Sequence, residues 1–577
     1  MTDNHGMTRF REFRTKLWIF IFLPLMLHPS PLKPDNQNGR VVIRVDTTRP
    51  AKALKHVWPY FGFDECNFAS SPNAKQLMQT IASANRDPAY IRSHFLLNTG
   101  DGTPALKWGS TNAYTEDAGG NPVYDWEIMD QIMDAVVTSG CIPLVEIGFM
   151  PQALSIAPEP YQHTYPPDYW AGWAFPPKDY SKWAGLIRAW AAHSRDRYGE
   201  IEREWWWELW NEPDIFYWQG TFEEYCRLFD VTEQALHAVL PGAMLGGPHT
   251  TGPAHPKAEK FLRDFLEHCL RGKNAVTGET GTRLDFVGFH SKGSTKVVDG
   301  HPRMNLGLNL KSNQRGFAVV AGFPEFRNTP IIIGECDPEG MAARSSTVWP
   351  ANGYRNGSAY AAYEIALMKH TLDLAAQEGV NLRGVLTWAF MFDGKEYFEG
   401  FRTLATNGIH KPVLNAFKML GMLRGKRLAL MSSGALGKER IIQEQVLGHP
   451  DVDGLAVATE EMVQVLVWNY HDDITPGPDT PVRIEIAGPS DIGGRARIIH
   501  YRIDHTHSNA FAKWESMGSP KAPTPAQRAE LLAAGELETL GSATYQDVAD
   551  AKLRLDFDLP RHGVSLIEIL WPGSSRD

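Results

Sequence analysis

Two glutamates carry most of the chemical information in this 577-residue chain. Glu212 stands in ELWNEPD and Glu335 in IIIGECDPEG, each close to the end of an apolar, strand-like run. A facing pair of carboxyl groups can split a glycosidic bond. One protonates the leaving oxygen, and the other attacks the anomeric carbon or activates water from the opposite side. The acid must hold its proton near neutral pH, which the apolar neighbours Trp206, Trp210 and Pro213 would favour at Glu212. Glu335 must stay ionised, which hydrogen-bond donors would support. Either residue alone reads as an ordinary solvated carboxylate. Further polar residues fall at comparable positions: Asp64 and Glu65, His94, Glu146, Asn211, His290, Asp337 and, in the last apolar run, Trp388. His94 and His290 suit sugar hydroxyls or structural hydrogen bonds. Asn211 suits a substrate 2-hydroxyl or the cap of a turn. Cys336, beside Glu335, reads as a packing thiol.

Eight apolar runs can carry these residues: 57–63, 89–97, 141–149, 204–210, 243–247, 284–290, 329–335 and 384–392. Helical spacing lies between several of them. Met129, Ile132, Met133, Val136 and Val137 form one apolar stripe; Trp183, Leu186, Ile187 and Trp190 form a second; Tyr225, Leu228, Phe229, Thr232 and Leu236 form a third. The alternation predicts a (β/α)8 TIM barrel with insertions over 53–425, with function at the C-terminal ends of its strands. A doubly wound sheet is the alternative, but no GxGxxG follows any strand. Strands four and seven would then face each other across the mouth. After 425 the helical periodicity fades into short strand-like runs at 462–470, 482–487, 496–504, 553–559 and 564–570, which predict a β-sandwich over 426–577 with one inserted helix at 523–538. VVIRVD (41–46), within a linker over 31–52, has no helix after it and could complete the sandwich.

Composition narrows the partners. The net charge is −10 and no long Lys/Arg run occurs, which argues against nucleic acid or an anionic membrane surface as a partner. The five cysteines are scattered, so neither a disulfide framework nor a zinc ribbon organises the fold. HExxH, Walker A and GxSxG motifs are absent. The 18 tryptophans suit either sugar-binding faces or a Trp-rich core. Four basic residues before the apolar run Leu17–Leu27 make residues 1–30 a signal peptide or N-terminal anchor, which implies a periplasmic, secreted or membrane-anchored protein. No other run is long enough to span a bilayer.

Trp210-Asn211-Glu212-Pro213 after a fourth strand resembles the acid/base motif of clan A glycoside hydrolases. Together with IRSHFLL (91–97), 124–155, 205–218, GGP (246–248) and GIHKPVLNAFKML (408–420), it makes residues 40–425 similar to glycoside hydrolase family 39, and GECDPEG (334–340) and WAFMF (388–392) resemble its bacterial β-xylosidase branch more closely than its α-L-iduronidases. The resemblance implies a retaining enzyme with Glu212 as general acid/base and Glu335 as nucleophile. It implies that His94, Asn211, His290 and Trp388 line the glycone subsite. The sequence departs from the family pattern at Asp214, at Cys336-Asp337 and at Lys292, which stands where a nucleophile-orienting Tyr is expected. Lys292 could instead contact Glu335 or a substrate hydroxyl. The expected activity is an exo-β-xylosidase acting on xylo-oligosaccharides, with no metal and no organic cofactor. The alternatives are an α-L-iduronidase, for which Lys292 and Arg402 offer cations to a uronate, an arabinosidase, and a catalytically silent sugar-binding protein.

Overall fold

The computed structural model describes residues 39–49, 52–63, 65–164, 171–488, 494–548 and 552–571. The Leu17–Leu27 run and Asp64 lie outside them. Among the described residues, no helix is long and apolar enough to cross a membrane.

Eight parallel strands close into a barrel: β1 (Tyr60–Phe63), β2 (Tyr90–Ser93), β3 (Ile142–Ile147), β4 (Trp206–Leu209), β5 (Met244–Thr250), β6 (Phe286–Lys292), β7 (Pro330–Asp337) and β8 (Asn381–Trp388). Each is followed by a helix: α1 (Pro72–Ala84), α2 (Glu127–Thr138), α3 (Tyr180–Tyr198), α4 (Phe222–His237), α5 (Pro256–Arg271), α6 (Leu306–Ala321), α7 (Ser358–Glu378) and α8 (Pro412–Met422). The fold is the TIM barrel that the alternating pattern predicts.

Local chemistry explains the helices. Thr221 caps α4 and Glu224 returns the bond to the cap backbone, which satisfies two N–H groups that a helix start leaves open. Asp179 does the same work for α3 through the amides of Ser181 and Lys182. The three predicted stripes are buried against the barrel, except that Val137 is only partly covered. Burial of each large apolar side chain contributes roughly 1.5–3 kcal/mol.

The tryptophans go chiefly to this core. Trp58, Trp173, Trp183, Trp190, Trp205, Trp207, Trp210 and Trp468 are fully buried. Their surplus therefore builds packing more than sugar-binding faces.

Beyond the barrel, two sheets pack face to face. One runs in the order Ala429–Ser432, Val41–Asp46, Thr480–Ala487, Lys552–Leu559. Val41–Asp46 lies parallel to Thr480–Ala487 and antiparallel to Ala429–Ser432, so the chain starts this layer before entering the barrel. The other sheet is built on Asp451–Ala458, Met462–Tyr470, Val564–Leu570 and Gly494–Ile503. Valines and isoleucines from both inner faces make the core between them. Asp451–Ala458 was hidden in the sequence by its central Gly454, which fits because a side chain there would meet the Leu466 carbonyl. The helix expected at 523–538 is Pro525–Ala534, and a further helix, Ala510–Ser516, precedes it. They pack on Phe398 and Ile409 of the barrel loops. The Asn415 side chain of α8 donates to the Ser508 and Gly535 carbonyls and ties the two regions together.

Candidate active site

The C-terminal mouth of the barrel gathers the polar residues. Glu212 follows β4 on a tight turn in which Trp210 (φ 67°) and Glu212 (φ 43°) both take left-handed backbone, an arrangement unusual for non-glycine residues. The turn is held on several sides. The Glu212 amide donates to the His249 carbonyl at 2.9 Å, and the Trp210 indole donates to the Tyr217 carbonyl at 2.8 Å. Asp214 accepts from the Thr251 amide at 2.8 Å, which gives this departure from the family pattern a structural use. Trp206 does not surround Glu212 as expected. It opens β4 at the far end, where its ring packs on Phe286.

Glu335 lies inside β7 instead of after it. The register between β6 and β7 slips by one residue between Ile333 and Glu335, a β-bulge at Gly334. A side chain at Gly334 would lie 2.3 Å from His249 Nδ1, so the bulge requires glycine. The slip sets Glu335 beside His290 and Asp337 beside Lys292. A second bulge in β5, between Pro248 and Thr250, turns out the His249 carbonyl that holds Glu212.

Strands β4 and β7 are three places apart around the barrel, with β5 and β6 between them, rather than diametrically opposed. His290 of β6 bridges them: its Nδ1 is 2.9 Å from Glu212 Oε1 and 3.7 Å from Glu335 Oε1. One oxygen of each carboxyl and one His290 nitrogen lie within 4.8 Å of one another.

The two carboxyl groups titrate in opposite directions. Burial, and then the negative charge of Glu335, push Glu212 up to about 7. Burial would also raise Glu335, but the ammonium of Lys292, helped by the hydrogen bond of His94, more than offsets it and holds this carboxyl well below its ordinary range. Lys292 Nζ is 2.7 Å from Glu335 Oε2 and also pairs with Asp337. Asp337 in turn pairs with Arg402 at 2.6 Å and accepts from the Trp388 amide at 2.7 Å. Burial pushes His290 down to about 3, so its imidazole is neutral.

His94 stands just past β2 rather than within it. Its Nε2 is 3.1 Å from Glu146 Oε2 and 3.5 Å from Glu335 Oε1, and its ring lies 4.4 Å from that of Trp388. Asn211 accepts from Arg92 Nη2 at 3.2 Å, which leaves its amide NH2 as the end that can donate into the site. Cys336 points the other way, toward Asn309 and Asn313, and burial raises its thiol well above the ordinary range.

Arg92 had no assigned role in the sequence. It is fully buried and reaches Glu146 at 3.0 Å, Glu335 at 3.3 Å and Glu208, with the Trp388 ring 5.0 Å away. Glu208 pairs with His249 at 2.6 Å; despite burial, the Arg92 charge and the His249 hydrogen bond hold its carboxyl down to about 2, while burial pushes His249 itself down to about 4. Glu146, in contrast, is pushed up to about 8 by burial. Arg92, Glu208 and His249 had only the strand period to mark them, in that Arg92 and His94 fall two residues apart and share the inward face. Glu212, His290 and Glu335 could each offer a ligand atom to a metal ion, but the cations Lys292 and Arg92 flank Glu335 and oppose a second positive charge there.

A closed parallel barrel with a carboxyl pair at its C-terminal mouth is the build of a glycoside hydrolase. The chain belongs to glycosyl hydrolases family 39, whose family model matches residues 41–541. It is 25% identical over 448 residues to a β-xylosidase of Caldicellulosiruptor saccharolyticus, covering 76% of this chain and 82% of that one. It is also 25% identical over 544 residues to an α-L-iduronidase of Mus musculus, covering 88% and 76%. A monomeric β-xylosidase from Caulobacter crescentus shares the fold with a TM-score of 0.69 at 22% identity, over 92% of this chain and 99% of that one.

Proposed function

We propose that the protein is a retaining exo-β-xylosidase that releases xylose from the non-reducing ends of xylo-oligosaccharides. The observation that carries this reading is the carboxyl pair: close enough for their oxygens to fall within 4.8 Å, yet driven to opposite protonation states. Retaining enzymes keep the two groups about 5–5.5 Å apart, whereas inverting ones leave about 6.5–9.5 Å for a water.

In this scheme an oxygen of ionised Glu335 bonds to the anomeric carbon as the glycosidic C–O bond breaks. Protonated Glu212 passes its proton to the leaving oxygen. Neutral His290, with Nδ1 2.9 Å from Glu212 Oε1, occupies that oxygen and leaves Oε2 to carry the proton to the leaving group. Once Glu335 is esterified its charge is gone, and with it one cause of the raised Glu212 pKa. Glu212 then ionises more readily and takes a proton from the incoming water. The water oxygen bonds to the anomeric carbon, and Glu335 leaves as a carboxylate.

Exo action is supported by the closed inner end. His94, Asn211, His290, Glu335 and Trp388 are all buried, and the open side lies past Glu212. Export through the N-terminal segment belongs to the same proposal and rests on the basic residues before Leu17–Leu27.

A second reading, α-L-iduronidase, is favoured by Lys292, a cation at the glycone end. Arg402 supports it less, because its guanidinium is fully buried, whereas Lys292, though paired with Glu335 and Asp337, keeps some exposure. Xylobiose followed by NMR, beside nitrophenyl xyloside, arabinoside and iduronide, separates the readings. Release of β-xylose first supports the proposal; turnover of the iduronide alone overturns it in favour of the second. Glu335→Ala is expected to abolish turnover, with azide restoring it as the α-glycosyl azide. Near-normal turnover without azide would remove Glu335 from the role.

A further inference from the structure

The mouth carries a feature that the two-carboxyl scheme leaves unused. A cavity of about 170 Å³ opens on the Glu212 side, walled by Lys107, Ile215, Phe216, Tyr217 and the 340–344 loop ending in Arg344. Glu335 and Trp388 do not line it. Glu212 faces the leaving oxygen in the scheme above, so a cavity that touches Glu212 and not Glu335 lies where the departing group must sit. Its volume is well below the ~300 Å³ of sites for drug-sized ligands, which suits one sugar ring or a small acid.

The protein carries a net −10, yet among the described residues that line this cavity two are cations, Lys107 and Arg344, beside one carboxyl group, Glu212. Both are held by dedicated structure. Lys107 takes left-handed backbone (φ 55°), with its amide donating to buried Glu65 at 2.5 Å and its Nζ to the Tyr217 hydroxyl at 3.2 Å. The opposite wall is pinned by the buried guanidinium of Arg355, which donates to the carbonyls of Met341, Arg344 and Gly400 and pairs with Glu339 at 2.8 Å. The Arg344 guanidinium lies 5.6 Å from the ring of exposed Trp349, a flat face on which a further sugar can stack.

We infer that this cavity is a leaving-group subsite for an anionic aglycone, in which Lys107 and Arg344 contact the carboxylate or sulfate of an acidic sugar. The inference rests on the reading of Glu212 as the acid. It deepens that reading by naming what the glycone is attached to. A planar Arg fork and a Lys ammonium together suit either oxyanion.

Binding needs no turnover, so it is measured first. Titrations with glucuronate, glucose 6-sulfate and glucose are followed by NMR on the wild type and on a Lys107→Met/Arg344→Gln variant. At least one of the charged ligands is expected to bind ten-fold or more tighter than glucose, and to lose that preference in the variant. Which of the two binds tighter assigns carboxylate or sulfate. Equal affinities for all three, or a preference that survives the double substitution, would overturn the site. The second measurement compares kcat/KM for 4-(carboxymethyl)phenyl β-xyloside with that for its neutral amide, whose leaving groups are alike in basicity. The acid is expected to be favoured in the wild type, with the ratio falling toward one in the variant. Equal kcat/KM values for the pair would count against the site. If neither xyloside turned over, the glycone reading would fail, and the binding preference would still decide the subsite.

Discussion

Lys292→Met tests the electrostatics of the pair most directly. Lys292 Nζ lies 2.7 Å from Glu335 Oε2, and the Glu335 carboxyl is largely shielded from water. Two unit charges about 4 Å apart attract by about 4 kcal/mol at an effective dielectric of about 20. One pH unit corresponds to about 1.4 kcal/mol, so removing the cation would move the Glu335 titration by as much as about 3 pH units. Arg92 at 3.3 Å and His94 at 3.5 Å remain, and the part they recover leaves an expected rise of about 2 units. The sign follows from the required states. Glu335 must be ionised, so activity falls as pH drops through its depressed pKa. Glu212 must be protonated, so activity falls as pH rises through about 7. Wild-type kcat/KM is therefore bell-shaped, with the alkaline limb near 7 and the acid limb below the ordinary carboxylate range. In Lys292→Met the acid limb climbs by about 2 units. The alkaline limb rises by less, because Lys292 also lowers Glu212. Asp337 keeps Arg402 as a partner, so the variant should fold. The assay is kcat/KM against pH on an aryl glycoside. An acid limb that stays in place or moves down would refute the assignment of Lys292 as the group that keeps Glu335 ionised.

Two further substitutions probe how the site is carried. Gly62→Ala on β1 would place a methyl 2.7 Å from the Trp388 ring and 2.6 Å from the Arg92 carbonyl. It should cost about 1–3 kcal/mol in urea unfolding and reduce kcat by displacing Trp388; full stability and activity would contradict the packing. Arg92→Met leaves Glu208 and Glu335 without their shared cation, and a loss of about 3–5 kcal/mol is expected. In the pH profile its acid limb should rise as well, which an effect on packing alone would not produce.

The catalytic barrel was legible because its signals are local. Each strand is a short apolar run between turn residues, and the facing helices repeat their apolar stripes at 3.6 residues. Glu212 was legible for the same reason, since the turn that bears it is written in four consecutive residues. The strand Val41–Asp46 could be assigned to the sandwich because no helix follows it, although its two neighbours come from hundreds of residues later. Gly454 disguised another strand by interrupting its apolar pattern.

The sequence by itself determined most of the elements and brought Glu212 and Glu335 to the mouth. It did not determine how those groups are charged. That depends on the bulge at Gly334, which places Glu335 beside His290 and Asp337 beside Lys292, and a bulge is a property of two strands in register. It depends equally on Arg92, Glu208 and His249, whose letters look like those of any surface residue until the barrel closes around them. Burial removes the water that would screen these charges, so their energies are set by distances of 3–4 Å between residues far apart in the chain. Only the closed tertiary structure supplies those distances.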